Sequence, residues 1–282
     1  MRLAVLISRL PLSFLYVVAW LLAAFNYYIL RSRRKVILDN LYKAFPEYRA
    51  NKIRALCKRY YFLQTEFLVE TAKLLSCSKQ WLQKRARLMN PDILDDVDTN
   101  RPVLFLSSHQ SNWEWAAQVL FLHCGHPFYG VYKPLRSPRL ERLVLTMRSC
   151  FGGTPLPNKQ FVKTLIKQRK QRCFFYVLSD REPGRNQKSI ELEWLGGQHT
   201  DFYSGTAQLA CTAQCAVFFV RTEKIKKGYY RIYLEPIENQ GEGHEKDLLK
   251  SYAQKLARGL KNAPANWYWG QPRWRWKNRT DD

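Results

Sequence analysis

The stretch from Leu10 to Leu30 contains no charged residue, and it constrains the chain more than any other feature of the sequence. About 20 consecutive apolar residues are enough to span the hydrocarbon core of a bilayer as a helix. A basic cluster from Arg31 to Lys35 follows directly, and such clusters hold the adjoining chain on the cytoplasmic side of a membrane. We therefore expect residues 1–35 to be a membrane anchor with a basic stop, and residues 36–282 to fold on the cytoplasmic side.

Three alternatives to a spanning anchor follow from the same residues. A cleaved signal peptide requires small residues at its cleavage site, whereas this sequence has Tyr27, Tyr28 and Ile29 before the first arginine. A helix that lies in the membrane interface, or one buried in a protein core, shares the apolar composition. The sequence favours an uncleaved anchor and leaves open whether residues 10–30 cross the bilayer or lie in its interface.

The chain is strongly basic and rich in aromatic side chains. Lys and Arg number 46 against 23 acidic residues, which gives a formal net charge of +23. Such a charge attracts polyanions such as nucleic acid, anionic lipid headgroups or acidic proteins. Trp and Tyr combined with basic residues suit a membrane interface, but they also suit single-stranded nucleic acid. Composition alone therefore does not choose between these partners.

The pattern of apolar residues changes character near Pro102. Residues 36–100 are predicted to be largely helical, because apolar positions such as Leu41, Ile53 and Tyr60 recur at helical spacing. Beyond Pro102, short apolar runs typical of buried strands alternate with helical patterns. The predicted strands cover 103–106, 128–132, 173–178, 216–220 and 229–234. This alternation predicts an α/β fold with a mixed sheet flanked by helices.

The segment from Ser107 to Trp115 carries the clearest chemical pattern. His109 stands where the first predicted strand ends and a helix begins, the edge at which open α/β sheets bind ligands. With His109 in the turn and Glu114 in the first helical turn, the imidazole can fold back to the carboxylate. The carboxylate would then fix the tautomer and leave the other ring nitrogen to act as a general base. A half-buried histidine that caps the helix is the structural alternative.

The SHQSNWEW segment, with Glu114 five positions after His109, resembles the H-x4-D/E motif of lysophospholipid-type acyltransferases. The wider chain is similar to the lauroyl and myristoyl acyltransferases of lipid A biosynthesis. That likeness extends over the anchor, LDNLYKAFPE, VYKP, LSDRE, WLGG, SGTA and APANWYW, in this order.

The resemblance implies a reaction and an assignment of residues. The family transfers a fatty acyl chain from acyl carrier protein, or sometimes acyl-CoA, to a hydroxyl of a glycolipid, and it requires no metal or bound cofactor. His109 would be the base and Glu114 its partner, with Asn112 beside them in the motif. Asp180 corresponds to an aspartate at the end of a later strand. Gly205 and Thr206 correspond to a turn that lines the same region.

The chain departs from the family pattern at several cationic positions. Lys133 stands where the family often has arginine, and Arg148 falls near a further family arginine. Arg181 occupies the middle of Asp180-Arg181-Glu182, where the family has Asp-Gln-Asp. An acyl transfer needs a group that stabilises the oxyanion, and Lys133, Arg148, Arg181 or backbone amides at the helix start could supply it. The change at Arg181 leaves room for an acceptor other than the ordinary lipid A precursor.

Two functions of other classes remain to be weighed against the acyltransferase. A nucleic-acid-binding protein would account for the charge, but not for the anchor or the strand-turn-histidine pattern. A catalytically silent membrane adaptor would keep the fold and tolerate the loss of His109. The sequence therefore predicts a bacterial inner-membrane acyltransferase whose partners are an acyl donor and an anionic lipid or glycolipid, with no nucleic acid.

Overall fold

The computed structural model describes residues 2–125 and 127–274. Its helices are α1 Arg2–Arg9, α2 Leu12–Phe25, α3 Arg34–Ala44, α4 Ala50–Ala72, α5 Lys79–Arg85, α6 Trp113–Cys124, α7 Pro138–Arg148, α8 Asn158–Lys167, α9 Gly205–Thr212 and α10 Glu245–Asn262. A π-helical segment, Asn26–Leu30, continues α2. The last part of the predicted 36–282 domain, residues 275–282, lies outside the described residues.

The strands belong to one large sheet and one small hairpin. They are β1 Ala86–Leu88, β2 Val103–Ser107, β3 Phe128–Tyr132, β4 Thr154–Pro157, β5 Phe174–Leu178, β6 Ser189–Glu193, β7 His199–Tyr203, β8 Ala216–Lys226 and β9 Tyr229–Ile237. Within the described residues, seven strands form a sheet in the order β1-β9-β8-β2-β5-β3-β4, while β6 and β7 pair separately. Only β8 and β9 pair antiparallel in the large sheet, so the predicted mixed sheet is confirmed.

Helices cover both faces of this sheet, which explains why its central strands are apolar along their whole length. All five residues of β2 are buried. Leu104 and Leu106 face a core formed with α3, α4 and α10, while Val103 and Phe105 face a second core formed with α5 and α6. Continuous burial of this kind is what parallel strands between two helical layers require.

Two strands of the large sheet were not anticipated, and neither was the β6–β7 hairpin. Ala86–Leu88 lies in the stretch expected to be helical, but it pairs parallel with Tyr230–Ile232. Thr154–Pro157 forms the other edge of the sheet through its pairing with β3. Its two prolines are tolerated because an edge strand needs ladder hydrogen bonds on one side only. Both strands are too short to show a local apolar pattern. Their extended conformation is set by pairing with β9 and β3.

Candidate active site

The site begins where two neighbouring parallel strands end. β2 and β5 are paired in a register that sets Ser107 opposite Leu178. His109 comes two residues after Ser107, and Asp180 comes two residues after Leu178. The two residues therefore lie side by side, just beyond the ends of adjacent strands. This edge is where open α/β sheets bind their ligands.

Asp180 holds the ring of His109. The Nδ1 atom of His109 lies 2.7 Å from Oδ1 of Asp180, and the backbone N–H of His109 donates to Oδ2 at 2.7 Å. Trp267 Nε1 donates to the same oxygen at 2.5 Å. An ionised carboxylate can only accept, so Nδ1 carries the proton and Nε2 is left as the basic atom.

Asp180 is completely buried. Burial by itself would raise the pKa of this carboxyl, but the facing His109 and the hydrogen bonds from His109 and Trp267 hold the pKa below its usual value. The carboxylate therefore stays ionised at neutral pH and can stabilise the imidazolium that forms when His109 takes up a proton.

Glu114 does not hold His109, so the predicted contact between these two side chains is wrong. Arg148, at the end of α7, donates from Nε at 3.0 Å and from Nη2 at 2.6 Å to the Glu114 carboxylate. Trp113 Nε1 also donates to it, at 3.2 Å. Burial would lower the pKa of Arg148, but Glu114 raises it overall, so the pair is ionic. Glu114 lies in the first turn of α6, and its carboxylate turns toward α7, where it neutralises the partly buried guanidinium of Arg148.

Asn112 acts as the N-cap of α6. Its Oδ1 accepts from the backbone N–H of Trp115 at 3.0 Å, while its Nδ2 donates to Glu70 Oε2 at 3.0 Å. Between it and His109, Ser111 has a φ of 55°, in the left-handed region that is costly for a non-glycine residue. The cap and its partner Glu70 therefore fix a strained turn directly after the histidine.

The remaining predicted residues lie apart from this contact network. Lys133 and Arg181 follow β3 and Asp180, and both are exposed. Thr206 is buried near the start of α9. A Cβ at Gly205 would meet the end of the Tyr203 ring at 2.4 Å, so a larger residue there would require the exposed Tyr203 side chain to move. Among the described residues, none of these four makes a hydrogen bond to His109 or Asp180.

Two cavities border the turn after β2. One, of about 40 Å³, is mainly apolar, and its lining includes Trp113, Phe121, Phe128, Val131, Leu178 and the Glu114–Arg148 pair. Trp113 also contacts the His109 ring, with the two centroids 5.0 Å apart. The other, of about 410 Å³, is more polar, and its lining includes Arg59, Gln110, Ser111, Arg221, Thr222 and Asn266. The turn therefore lies between an apolar and a polar space.

The model of the family described as bacterial lipid A biosynthesis acyltransferase matches residues 2–276. The chain belongs to this family. The resemblance inferred from the motifs and the enzyme class that it implies are thereby confirmed. As a lipid A acyltransferase family member, the protein is an acyltransferase.

Three relatives that match at modest sequence identity are also described as acyltransferases. The chain is 20% identical over 243 residues to a lipid A biosynthesis acyltransferase of Haemophilus influenzae, covering 85% of this chain and 74% of the relative. It is 24% identical to a phosphatidylinositol mannoside acyltransferase of Mycolicibacterium smegmatis, covering 63% of this chain and 58% of the relative. A lipid A biosynthesis acyltransferase 2 of Shigella flexneri is also 24% identical, with coverages of 55% and 49%.

Two buried charged residues of this acyltransferase escaped the sequence analysis. Arg273 is 1% exposed, and its charge lies close enough to Asp180 to interact with it. Glu70 is wholly buried and binds the Asn112 cap. Both lie far from the motif in sequence, so no local pattern pointed to them.

Proposed function

We propose that this acyltransferase moves a fatty acyl chain from a thioester donor, acyl carrier protein or acyl-CoA, to a hydroxyl of a glycolipid such as a lipid A precursor. The observation that carries this proposal is the His109–Asp180 pair at the ends of two adjacent strands. A tautomer fixed by a buried carboxylate is the arrangement that a general base for a hydroxyl requires.

The proposed chemistry follows from this pair. His109 Nε2 takes the proton of the acceptor hydroxyl as its oxygen attacks the thioester carbonyl carbon. The C–O bond forms, a tetrahedral oxyanion develops, and the C–S bond then breaks. The proton held by His109 passes to the departing thiolate, so the products are an ester and a thiol. No other reactant is required.

Separate spaces for the two substrates support the proposal. The apolar cavity suits the acyl chain by the character of its lining, because apolar and aromatic side chains form most of its wall, as they do in sites for apolar ligands. The polar cavity suits a sugar or phosphate headgroup, because amide, hydroxyl and guanidinium groups line it. Of the three cations considered for the oxyanion, Arg148 is the one that lines the apolar cavity, and we assign that role to it, with Glu114 as the residue that positions it.

The experiment is acyl transfer from labelled donors, both acyl carrier protein and CoA thioesters, to a panel of lipid acceptors. We expect His109→Ala to lower the rate at least about 100-fold, the usual contribution of a general base. Glu114→Ala should lower it as well, because Arg148 loses its partner. His244→Ala is the matched control, since His244 also pairs with an aspartate, Asp247, but at the surface.

A folded His109→Ala protein that keeps its activity would overturn the proposed base. A His244→Ala protein that loses as much activity would show that the assay does not report on the site. Labelling of one acceptor by the parent chain and by His244→Ala, but not by His109→Ala, would establish the acceptor class. Melting temperatures of all variants separate loss of chemistry from loss of fold.

A further inference from the structure

One face of the apolar N-terminal helix is packed on the rest of the protein and the other is not. Four residues at helical spacing are buried, namely Leu12, Leu15, Ala19 and Ala23. The opposite face is open, and its large exposed side chains include Phe14, Val17, Trp20, Leu21, Phe25 and Ile29. A lone spanning helix would meet lipid on all sides, whereas this helix has a continuous protein-facing stripe.

Both ends of the helix are fastened to the rest of the protein. Before α2, Lys73 Nζ donates to the carbonyl oxygens of Ser8 and Leu10, at 2.5 and 3.1 Å. After it, Tyr61 OH donates to the Ser32 carbonyl at 2.6 Å, and Arg33 donates to the Gly270 carbonyl at 2.7 Å. Tyr61 lies in α4, and Lys73 is the first residue after the end of α4.

The middle of the helix follows α4 as well. Tyr16 OH donates to Glu70 at 2.8 Å. Further along, the rings of Trp20 and Phe62 have centroids 6.4 Å apart. α2 therefore lies along the surface of the protein over its whole length.

This packing is incompatible with a membrane crossing. The span Leu12–Leu30 has 19 residues, so its helix is about 28 Å long, just the thickness of a bilayer core. If it crossed, α4 would have to enter the hydrocarbon beside it. Lys227, which is 59% exposed, lies over the ring of Tyr16, and the exposed Lys58 lies over that of Tyr28. A crossing would hold these charges beside residues of the span, and charges within a bilayer are unfavourable.

We propose that α2 lies in the interface of one leaflet of an anionic bilayer, with both of its ends on the side of the catalytic domain. Charge complementarity identifies the occupant of the open face. Arg9, Arg31 and Arg33 are exposed at the two ends of the helix, where they meet anionic headgroups. Trp20 and Tyr28 are more than half exposed, and these residue types settle at headgroup depth.

This seating brings the bilayer close to the active site. Leu68 of α4 is 62% exposed, and the neighbouring Phe67 ring lies 4.0 Å from the ring of Trp113. Trp113 in turn contacts His109. The base is therefore linked by two ring contacts to α4, the helix on which α2 packs. The inference concerns topology and does not depend on which reaction the protein catalyses.

The test is the labelling of single introduced cysteines by a membrane-impermeant maleimide in sealed vesicles of known orientation. Arg9→Cys and Ser32→Cys mark the two ends of the helix, and Thr99→Cys marks the catalytic domain, because all three positions are exposed. The seven native cysteines are buried or half-buried, and the unsubstituted chain gives their background. We expect all three introduced cysteines to be labelled from the same side.

Labelling of Arg9→Cys from the side opposite to Ser32→Cys and Thr99→Cys would overturn the inference and establish a spanning helix. Fluorescence quenching by brominated lipids identifies the occupant. We expect quenching in vesicles containing phosphatidylglycerol, and a smaller amount in Trp20→Phe. Intermolecular disulfides of Val17→Cys without lipid quenching would assign the face to a second copy of the chain and overturn the lipid assignment.

Discussion

At the scale of single residues, Asp180 is a buried carboxylate whose charge is maintained by its neighbours. Its pKa is lowered in the folded protein, whereas the pKa of an aspartate in an unfolded chain is about 3.9. When folding lowers the pKa of a carboxyl, its ionised form stabilises the folded protein. This stabilisation is complete at pH values above the pKa of the carboxyl in the unfolded chain, and it is lost as the pH falls through the pKa in the folded protein.

Asp180→Asn should therefore cost stability at pH 7 and cost less in acid. We expect the parent chain to be more stable than Asp180→Asn at pH 7, by a difference in unfolding free energy that also reflects the contact of the carboxylate with His109. This difference should shrink below about pH 4, where the unfolded carboxyl becomes protonated. Urea unfolding at several pH values measures it. A difference that does not shrink between about pH 4 and more acidic pH would mean that the carboxylate is not stabilised by its neighbours.

The partner of His109 shows what sequence reasoning could and could not find. His109 and its place at a strand end follow from local patterns. Asp180 was assigned by resemblance alone, because its contact depends on the order of strands in the sheet. β5 lies between β2 and β3, although β3 follows β2 in the chain. Glu114 was predicted to hold His109 because it is near in sequence, whereas Arg148, 34 residues away, is its partner.

At the scale of elements, Glu70 joins parts of the chain that are distant in sequence. Its carboxylate accepts hydrogen bonds from Tyr16 in α2 at 2.8 Å and from Asn112 at the start of α6 at 3.0 Å. It also accepts from Tyr230 in β9 at 2.5 Å and from the backbone N–H of Gly228 at 3.1 Å. One carboxylate thus connects the N-terminal helix, the helix that follows His109, and the edge of the sheet.

We expect Glu70→Gln to destabilise the protein by about 3 kcal/mol, because an amide places two donors among groups that already donate. Tyr16→Phe removes only one of these hydrogen bonds and should cost about 1–2 kcal/mol. Urea unfolding gives both values. The acyl-transfer rate of Glu70→Gln should fall more than that of Tyr16→Phe, because Asn112 is freed only in the former. Equal effects of the two variants would contradict the role of Glu70 as the shared partner.

The helices and central strands could be predicted from apolar spacing, because each pattern there is local and long. The edge strands β1 and β4 could not, since three or four residues carry no usable period. Likewise, an apolar stretch of this length predicts a membrane helix but not its orientation. Orientation depends on Lys73, Tyr61 and Glu70, which are at least 29 residues from the atoms that they bind in the N-terminal segment.

At the scale of the whole molecule, the net charge of +23 and the open apolar face act together on a membrane. The electrostatic attraction is screened by salt, because the Debye length falls from about 10 Å at 0.1 M to about 3 Å at 1 M. Insertion of apolar side chains is not screened in this way. Binding to anionic vesicles should therefore contain one salt-sensitive and one salt-resistant part.

We expect binding to phosphatidylglycerol vesicles to weaken between 0.1 and 1 M NaCl and to level off at the affinity for neutral vesicles, which should not change with salt. Val17→Asp places a charge on the open face of α2, where Val17 is 57% exposed. It should abolish the salt-resistant part and leave the salt-sensitive part. Thr99→Asp adds the same charge at an exposed position outside α2 and serves as the control. Complete release of the parent chain at 1 M NaCl would mean that electrostatic attraction alone holds the protein to the membrane.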